Sequence, residues 1–289
     1  MQGTVDGFSY GPVTPVVAFL MACLGAALGL RCTMRSLRAG GAARAGWLAL
    51  GATSTGTGVW TMHFVAMLGF AVEETPVGYD RALTFAGLGV AVGMSGVGIF
   101  VVGHRGATRM AVVTGGTVTG LGVASMHYLG MAGMIFEGRF AYDTLMVVLS
   151  VVIAVVAATG ALWAAVRAHG FLPNLAASVV MAVAVSGMHY TGMAALHVHL
   201  DPDALPVAGD EPASLLLPML VGPGCFLLLA GIVVLVDPLV VTGGRAPVAD
   251  HGDPRGPHGL RQATAVPAQR RLTSSGAASH GGYRQPRNH

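Results

Sequence analysis

Long apolar runs alternate along this chain with short polar breaks. Seven runs are evident, roughly 13–31, 46–71, 82–103, 109–135, 144–167, 174–197 and 214–237. Each comes close to the ~20 residues of helix that a bilayer core takes. Glycine and proline gather in the breaks, as at Pro76-Val77-Gly78 and from Pro202 to Pro206. Lipid gives backbone amides no partner, so such runs are predicted to be helices. The predicted fold is therefore all-α and polytopic, with seven transmembrane helices. An extracytoplasmic segment covers 1–12, the membrane domain 13–237 and a low-complexity, disordered tail 238–289.

Only 10% of the residues are charged, against roughly 25% in soluble domains. That excludes a disordered chain, a coiled coil and an ordinary cytosolic enzyme. The 16 basic residues are all arginine, and their placement orients the chain. Arg31, Arg35, Arg38 and Arg44 fall in a predicted loop 31–45; Arg105, Arg109 and Arg167 flank later breaks; seven more follow the seventh run. The alternate loops hold only Arg81 and Arg139. The positive-inside rule then puts the N-terminus outside and the tail in the cytoplasm. Asp6, Glu73, Glu74, Asp80, Glu137, Asp143, Asp201, Asp203, Asp210 and Glu211 all fall on the outer side. Cys23, Cys32 and Cys225 form no CxxC pair, which leaves no disulfide framework or thiolate zinc site. No basic residue precedes the first apolar run, unlike a cleaved signal peptide.

A short pattern recurs three times inside these runs. The second run contains Thr61-Met62-His63-Phe64-Val65-Ala66-Met67, the fourth Ser125-Met126-His127-Tyr128-Leu129-Gly130-Met131, and the sixth Gly187-Met188-His189-Tyr190-Thr191-Gly192-Met193. Recurrence once per pair of helices marks a repeated unit, so the membrane domain is predicted to be three hairpin repeats plus a final helix. All three helices would run from cytoplasm to outside. Each histidine is expected about eight residues before its helix exits, roughly 12 Å below the outer boundary.

Within each copy the histidine and the second methionine, four residues on, share one helical face. His63/Met67, His127/Met131 and His189/Met193 are thus the primary candidate pairs, while Met62, Met126 and Met188 are turned about 100° away. Polar side chains in lipid are costly and usually functional. Imidazole with thioether is a donor set that suits copper, Cu(I) above all. Calcium and magnesium want oxygen ligands, and structural zinc usually includes cysteine. Haem, held axially by two facing histidines, is the alternative, although it leaves the repeated methionine partly unused.

Other features read more plainly. His197 would extend the third stripe by one turn, with His199 and the acidic loop after it as a solvated outer rim. His104 and His169 are expected at interfaces, and His251, His258, His280 and His289 in the solvated tail. Gly89-x-x-x-Gly93 and Gly116-x-x-x-Gly120 predict close helix packing. Trp47, Trp60 and Trp163 have no catalytic company, and no enzyme is expected.

The three motifs closely resemble those of the bacterial MHYT domain, an integral membrane sensory domain named for Met-His-Tyr-Thr. The likeness covers roughly residues 13–200. The third copy reads Met188-His189-Tyr190-Thr191; the first has Phe64 for tyrosine, and Val65 and Leu129 hold the fourth position in the other two. The resemblance implies a sensor in the bacterial cytoplasmic membrane. It implies copper near the outer face, held by Met62, His63, Met67, Met126, His127, Met131, Met188, His189 and Met193. It also implies sensing of a diatomic gas such as oxygen, carbon monoxide or nitric oxide. Many members carry a cytoplasmic output domain, but the residues after the seventh run hold no signature of cyclic-di-GMP turnover or of a kinase. A separate cytoplasmic signalling partner is therefore expected, and no nucleic acid. A transporter or copper-handling permease is the rival reading, weakened because no Asp or Glu lies mid-span. A purely structural bundle is the third.

Overall fold

The computed structural model describes residues 3–6, 11–167, 170–201 and 212–236. The chain divides into Met1–Arg245 and Ala246–His289, and every described residue belongs to the first unit. Expectations for His169, the 202–211 loop and the 237–289 tail with its histidines lie outside the described residues.

Among the described residues seven helices form: α1 (Val13–Arg38), α2 (Gly41–Leu68), α3 (Arg81–Arg105), α4 (Arg109–Ala132), α5 (Thr144–Arg167), α6 (Phe171–Ala194) and α7 (Pro212–Val236). At the arginine-bearing end the helices outrun their apolar stretches. Arg31, Arg35 and Arg38 lie in the last turns of α1 and Arg44 in the first turn of α2, leaving Ala39-Gly40 as the link rather than a loop over 31–45. Cations are favourable at a helix C-terminus, and the long stems lie along apolar surface. The Arg31 guanidinium sits 5.3 Å above the Phe171 ring and that of Arg35 5.7 Å above Trp47. Arg44 Nε donates to the carbonyls of Ser36 and Ala39, at 3.3 and 3.1 Å, which satisfies carbonyls the ending helix leaves over. Gly41 opens α2 at φ 52°, a left-handed conformation that favours glycine.

At the opposite end the even helices stop sooner than their hydropathy predicts, at Leu68, Ala132 and Ala194. Each histidine consequently lies five residues before its helix ends rather than about eight. Short strands follow: β1 (Val5–Asp6), β2 (Ala71–Val72), β3 (Gly78–Tyr79), β4 (Met134–Ile135), β5 (Gly138–Tyr142) and β6 (Leu196–Leu200). They pair antiparallel as β1·β2, β3·β4 and β5·β6, so each pair brackets one helical hairpin. The all-α expectation thus omits a set of small sheets. His197 is in β6 opposite Ala141, not on a further helical turn, and His199 faces Arg139. Leu196 and Val198 are buried while His197 is exposed; this alternation has the period of a strand, not of a helix.

The helices α1 to α6 pack each on the next, and α6 packs back on α1, closing a six-membered ring; α7 lies against α1 and α2. Among the described residues, four helices, α1, α3, α5 and α6, are long and apolar enough to cross a membrane. In α2, by contrast, every residue from Ser54 to Met67 is buried. Enclosed by protein, it tolerates serine, threonine and histidine that lipid would penalise. A Cβ on Gly25 would stand 2.6 Å from the Gly58 Cα, so α1 and α2 meet backbone to backbone. Gly116 and Gly120 likewise receive α5 at Thr159 and Val155, but Gly89 and Gly93 face open space. The predicted packing role therefore holds for the α4 pair and fails for the α3 pair, whose outward face a spacing pattern alone cannot reveal.

Candidate metal centre

The three repeated histidines, from α2, α4 and α6, meet at one point. His63 Nδ1 lies 3.1 Å from His189 Nδ1 and 3.2 Å from His127 Nδ1, and the third side, His127 to His189, is 3.3 Å. All three side chains are buried, at 1%, 0% and 2% exposure. The rings stand nearly edge to face, with centroids 4.9–5.1 Å apart and interplanar angles of 74–84°. Five residues from the end of each helix, the histidines share one level, so the repeat spacing has become a near-equilateral triangle.

Proton placement sets a limit on such a triangle. The Nδ1 of a neutral imidazole either carries a hydrogen or offers a lone pair. Among three mutually adjacent Nδ1 atoms at least two are of one kind, so at most two of the three contacts are hydrogen bonds. The remaining side opposes lone pair to lone pair, or hydrogen to hydrogen. A cation accepting all three lone pairs removes the conflict. The point equidistant from the nitrogens lies about 1.8–1.9 Å from each, a little inside the roughly 2.0–2.1 Å of a zinc–imidazole bond. The residues present therefore fit a small metal ion held through Nδ1, and among the described residues these three histidines are the group placed to hold one.

The surroundings orient the rings. The aromatic residue after each histidine packs edge-on against it: Phe64 at 4.7 Å and 74°, Tyr128 at 4.8 Å and 73°, Tyr190 at 5.0 Å and 75°. The Tyr128 hydroxyl is anchored on Ser150 Oγ of α5, and Ser150 in turn donates to the Val147 carbonyl. Behind the triad, His63 Nε2 and His127 Nε2 are buried without a hydrogen-bond partner. They face the bare Cα atoms of Gly130 and Gly192. The resemblance counted the aromatic positions with the site, but spacing gave Gly130 and Gly192 no part in it; their shared register in two of the three copies, with Ala66 in the first, was the signal available.

The methionines lie in the same buried cluster. Met62, Met67, Met126, Met131 and Met188 are buried, and Met193 is partly buried. Met126 packs beside Gly87 of α3 next to the Trp60 indole. Trp60 Nε1 donates to the Thr84 carbonyl at 2.9 Å, a structural bond. His104 stacks on Phe100 and contacts its carbonyl, away from the triad.

Comparison with known proteins bears on the same region. The family described as a bacterial signalling protein N-terminal repeat, MHYT, matches residues 56–115 and 120–178. The chain is 39% identical over 192 residues to the bifunctional diguanylate cyclase/cyclic di-GMP phosphodiesterase MucR of Pseudomonas aeruginosa, covering 65% of this chain and 28% of that protein. It is 34% identical over 208 residues to the cyclic di-GMP phosphodiesterase NbdA of the same organism, covering 68% and 26%. To the signaling protein YkoW of Bacillus subtilis it is 31% identical over 201 residues, covering 67% and 25%. The chain thus spans about a quarter of the length of these relatives. No solved structure matches. Residues 56–178 of this chain, with their recurring Met-His-aromatic pattern, carry the MHYT repeats found in bacterial signalling proteins.

Proposed function

We propose that this chain is a multi-pass sensory protein of the bacterial cytoplasmic membrane whose histidine triad binds one copper ion. The observation that carries the reading is the Nδ1 triangle of His63, His127 and His189, which metal-free protonation cannot satisfy on every side. Seven helices span the membrane with the N-terminus outside, as the arginine distribution favours. Met67, Met131 and Met193, with Met62, Met126 and Met188, supply the soft donors that favour Cu(I) over harder ions. The triad favours an ion over haem, because a macrocycle between two of these rings would have to displace the third.

Copper so held would supply a site for a diatomic gas or a one-electron redox change. The chain's own part is to hold three imidazoles at one point on three helices, so that a shift of any ring is felt by the other two helices. A ligand moves such an equilibrium only by its difference in affinity for the two arrangements. The names of the relatives connect regions of this kind with cyclic di-GMP enzymes, and we infer that the signal passes to a cytoplasmic partner of that signalling class.

The test is metal analysis of detergent-purified protein beside a His63→Ala/His127→Ala/His189→Ala variant. Copper near one ion per chain, lost in the variant, is the expected result. Unchanged metal content in the variant overturns the assignment.

A further inference from the structure

Two histidines of the triad, His63 and His127, are confined on two edges. The Nδ1 edge of each faces two other imidazoles at 3.1–3.3 Å. The Nε2 edge of His63, on α2, lies on Gly130 of α4, and that of His127, on α4, lies on Gly192 of α6. A Cβ at Gly130 would collide with His63 Nε2, and would stand 3.0 Å from its Cδ2 and 3.3 Å from Phe64 Cζ. A Cβ at Gly192 would collide with His127 Nε2, 3.0 Å from Cδ2 and 3.3 Å from Cε1. The relation is the same twice over: a histidine rests on the residue three beyond the histidine of the next even helix. Both Nε2 atoms are buried and make no hydrogen bond, so on that edge the absence of a side chain opposite them leaves each ring its room to withdraw from the centre.

We propose that Gly130 and Gly192 are positioning residues of the triad: each seats the imidazole of the preceding even helix, and the missing Cβ gives that ring the room to aim Nδ1 at a shared ion. A methyl group at either seat pushes on the Nε2 edge. The ring then advances toward neighbours that cannot yield, or turns and carries its Nδ1 lone pair out of the triangle. Either movement spoils binding by all three imidazoles while leaving the ligand itself in the chain. The inference deepens the copper reading and rests on it for its functional meaning, but the seating contact is testable without metal.

The experiment is a competition titration of purified full-length protein with Cu(I) against a chromophoric chelator, together with thermal melting of the metal-free protein. Gly130→Ala and Gly192→Ala are each expected to weaken Cu(I) binding at least tenfold. Gly187→Ala, on α6 beside the motif but facing open space, is expected to stay within twofold. Wild-type affinity in both seat variants overturns the proposal. Should the wild-type protein bind no copper, the copper reading fails, and the melts decide the seating alone. Gly130→Ala lowers the melting temperature when His63 is present, and the loss disappears in a His63→Ala background but persists with His127→Ala. Gly192→Ala pairs in the same way with His127. Equal losses in every background overturn the proposal. If a seat variant does not fold by itself, adding the matching histidine-to-alanine change restores folding, and failure to do so also overturns it.

Discussion

The hydroxyl of Tyr128 meets Ser150 Oγ at 2.7 Å, tying the aromatic ring that packs on His127 to the neighbouring helix α5. Ser150 is buried and also bonds the Val147 carbonyl, so the tyrosine is held to α5 through a fixed oxygen. Tyr128→Phe leaves the edge-on ring contact and removes the anchor. A loss of about 1 kcal/mol of stability is expected, read by thermal melting in detergent. Copper stoichiometry should be unchanged, since Phe64 flanks His63 with no hydroxyl at the same interplanar angle within a degree. Loss of copper in this variant would show that the hydroxyl belongs to the site.

Metal and stability are linked if the triad is a binding site. A ligand that binds only the folded state stabilises it by about 2.7 kcal/mol at a hundred times its Kd. Adding Cu(I) under chelator buffering should therefore raise the melting temperature of the wild-type protein, and stripping should reverse the gain. The triple histidine-to-alanine variant should show no response. An equal response in that variant would place the copper elsewhere.

The glycines of α3 and α4 should part company. Gly116→Ala and Gly120→Ala drive a Cβ into Thr159 and the Val155 backbone, and overpacking of this kind costs about 1–3 kcal/mol. Gly89→Ala and Gly93→Ala meet nothing and should be neutral or slightly stabilising, because alanine is the better helix former by about 1 kcal/mol. Melting of the four single variants checks the contrast; equal losses in all four would refute it.

Close to the sheets, Glu74 accepts the Thr4 amide with both carboxylate oxygens, at 2.9 and 3.0 Å. That bond holds its pKa below the ordinary glutamate value. A depressed acid contributes stability that is complete above the unfolded pKa, near about 4.3, and is lost as pH falls through the lower, folded value. Protection of the Thr4 amide from hydrogen exchange should drop across that window in the wild-type protein. In Glu74→Gln it should be lower at neutral pH and flat across the same range. A pH-independent wild-type protection factor would sink the idea.

What could be read from the sequence divides along physical lines. The apolar runs are long because a helix must hide its backbone, so the existence of α1 to α7 is legible. The convergence of His63, His127 and His189 is legible because the pattern repeats at nearly constant spacing, and equal spacing on equivalent helices means equal height. The helix ends were not, since hydropathy does not distinguish the last turn of α2 from the Ala71–Val72 strand after it. Nor was the role of Gly130 separable from that of Gly89. Both are small residues on a helix, and only the ring placement tells that one faces an imidazole and the other faces outward.

The number of histidine-bearing hairpins has its own consequence. Two imidazoles, or four in a square, could alternate donor and acceptor around the whole circuit and rest content without an ion. An odd circuit cannot: wherever the protons go, one neighbour pair is left alike. A bundle with an even count of these hairpins would be self-satisfied at its centre. With three, the fold carries a standing mismatch among His63, His127 and His189, which three lone pairs turned on a single cation would resolve.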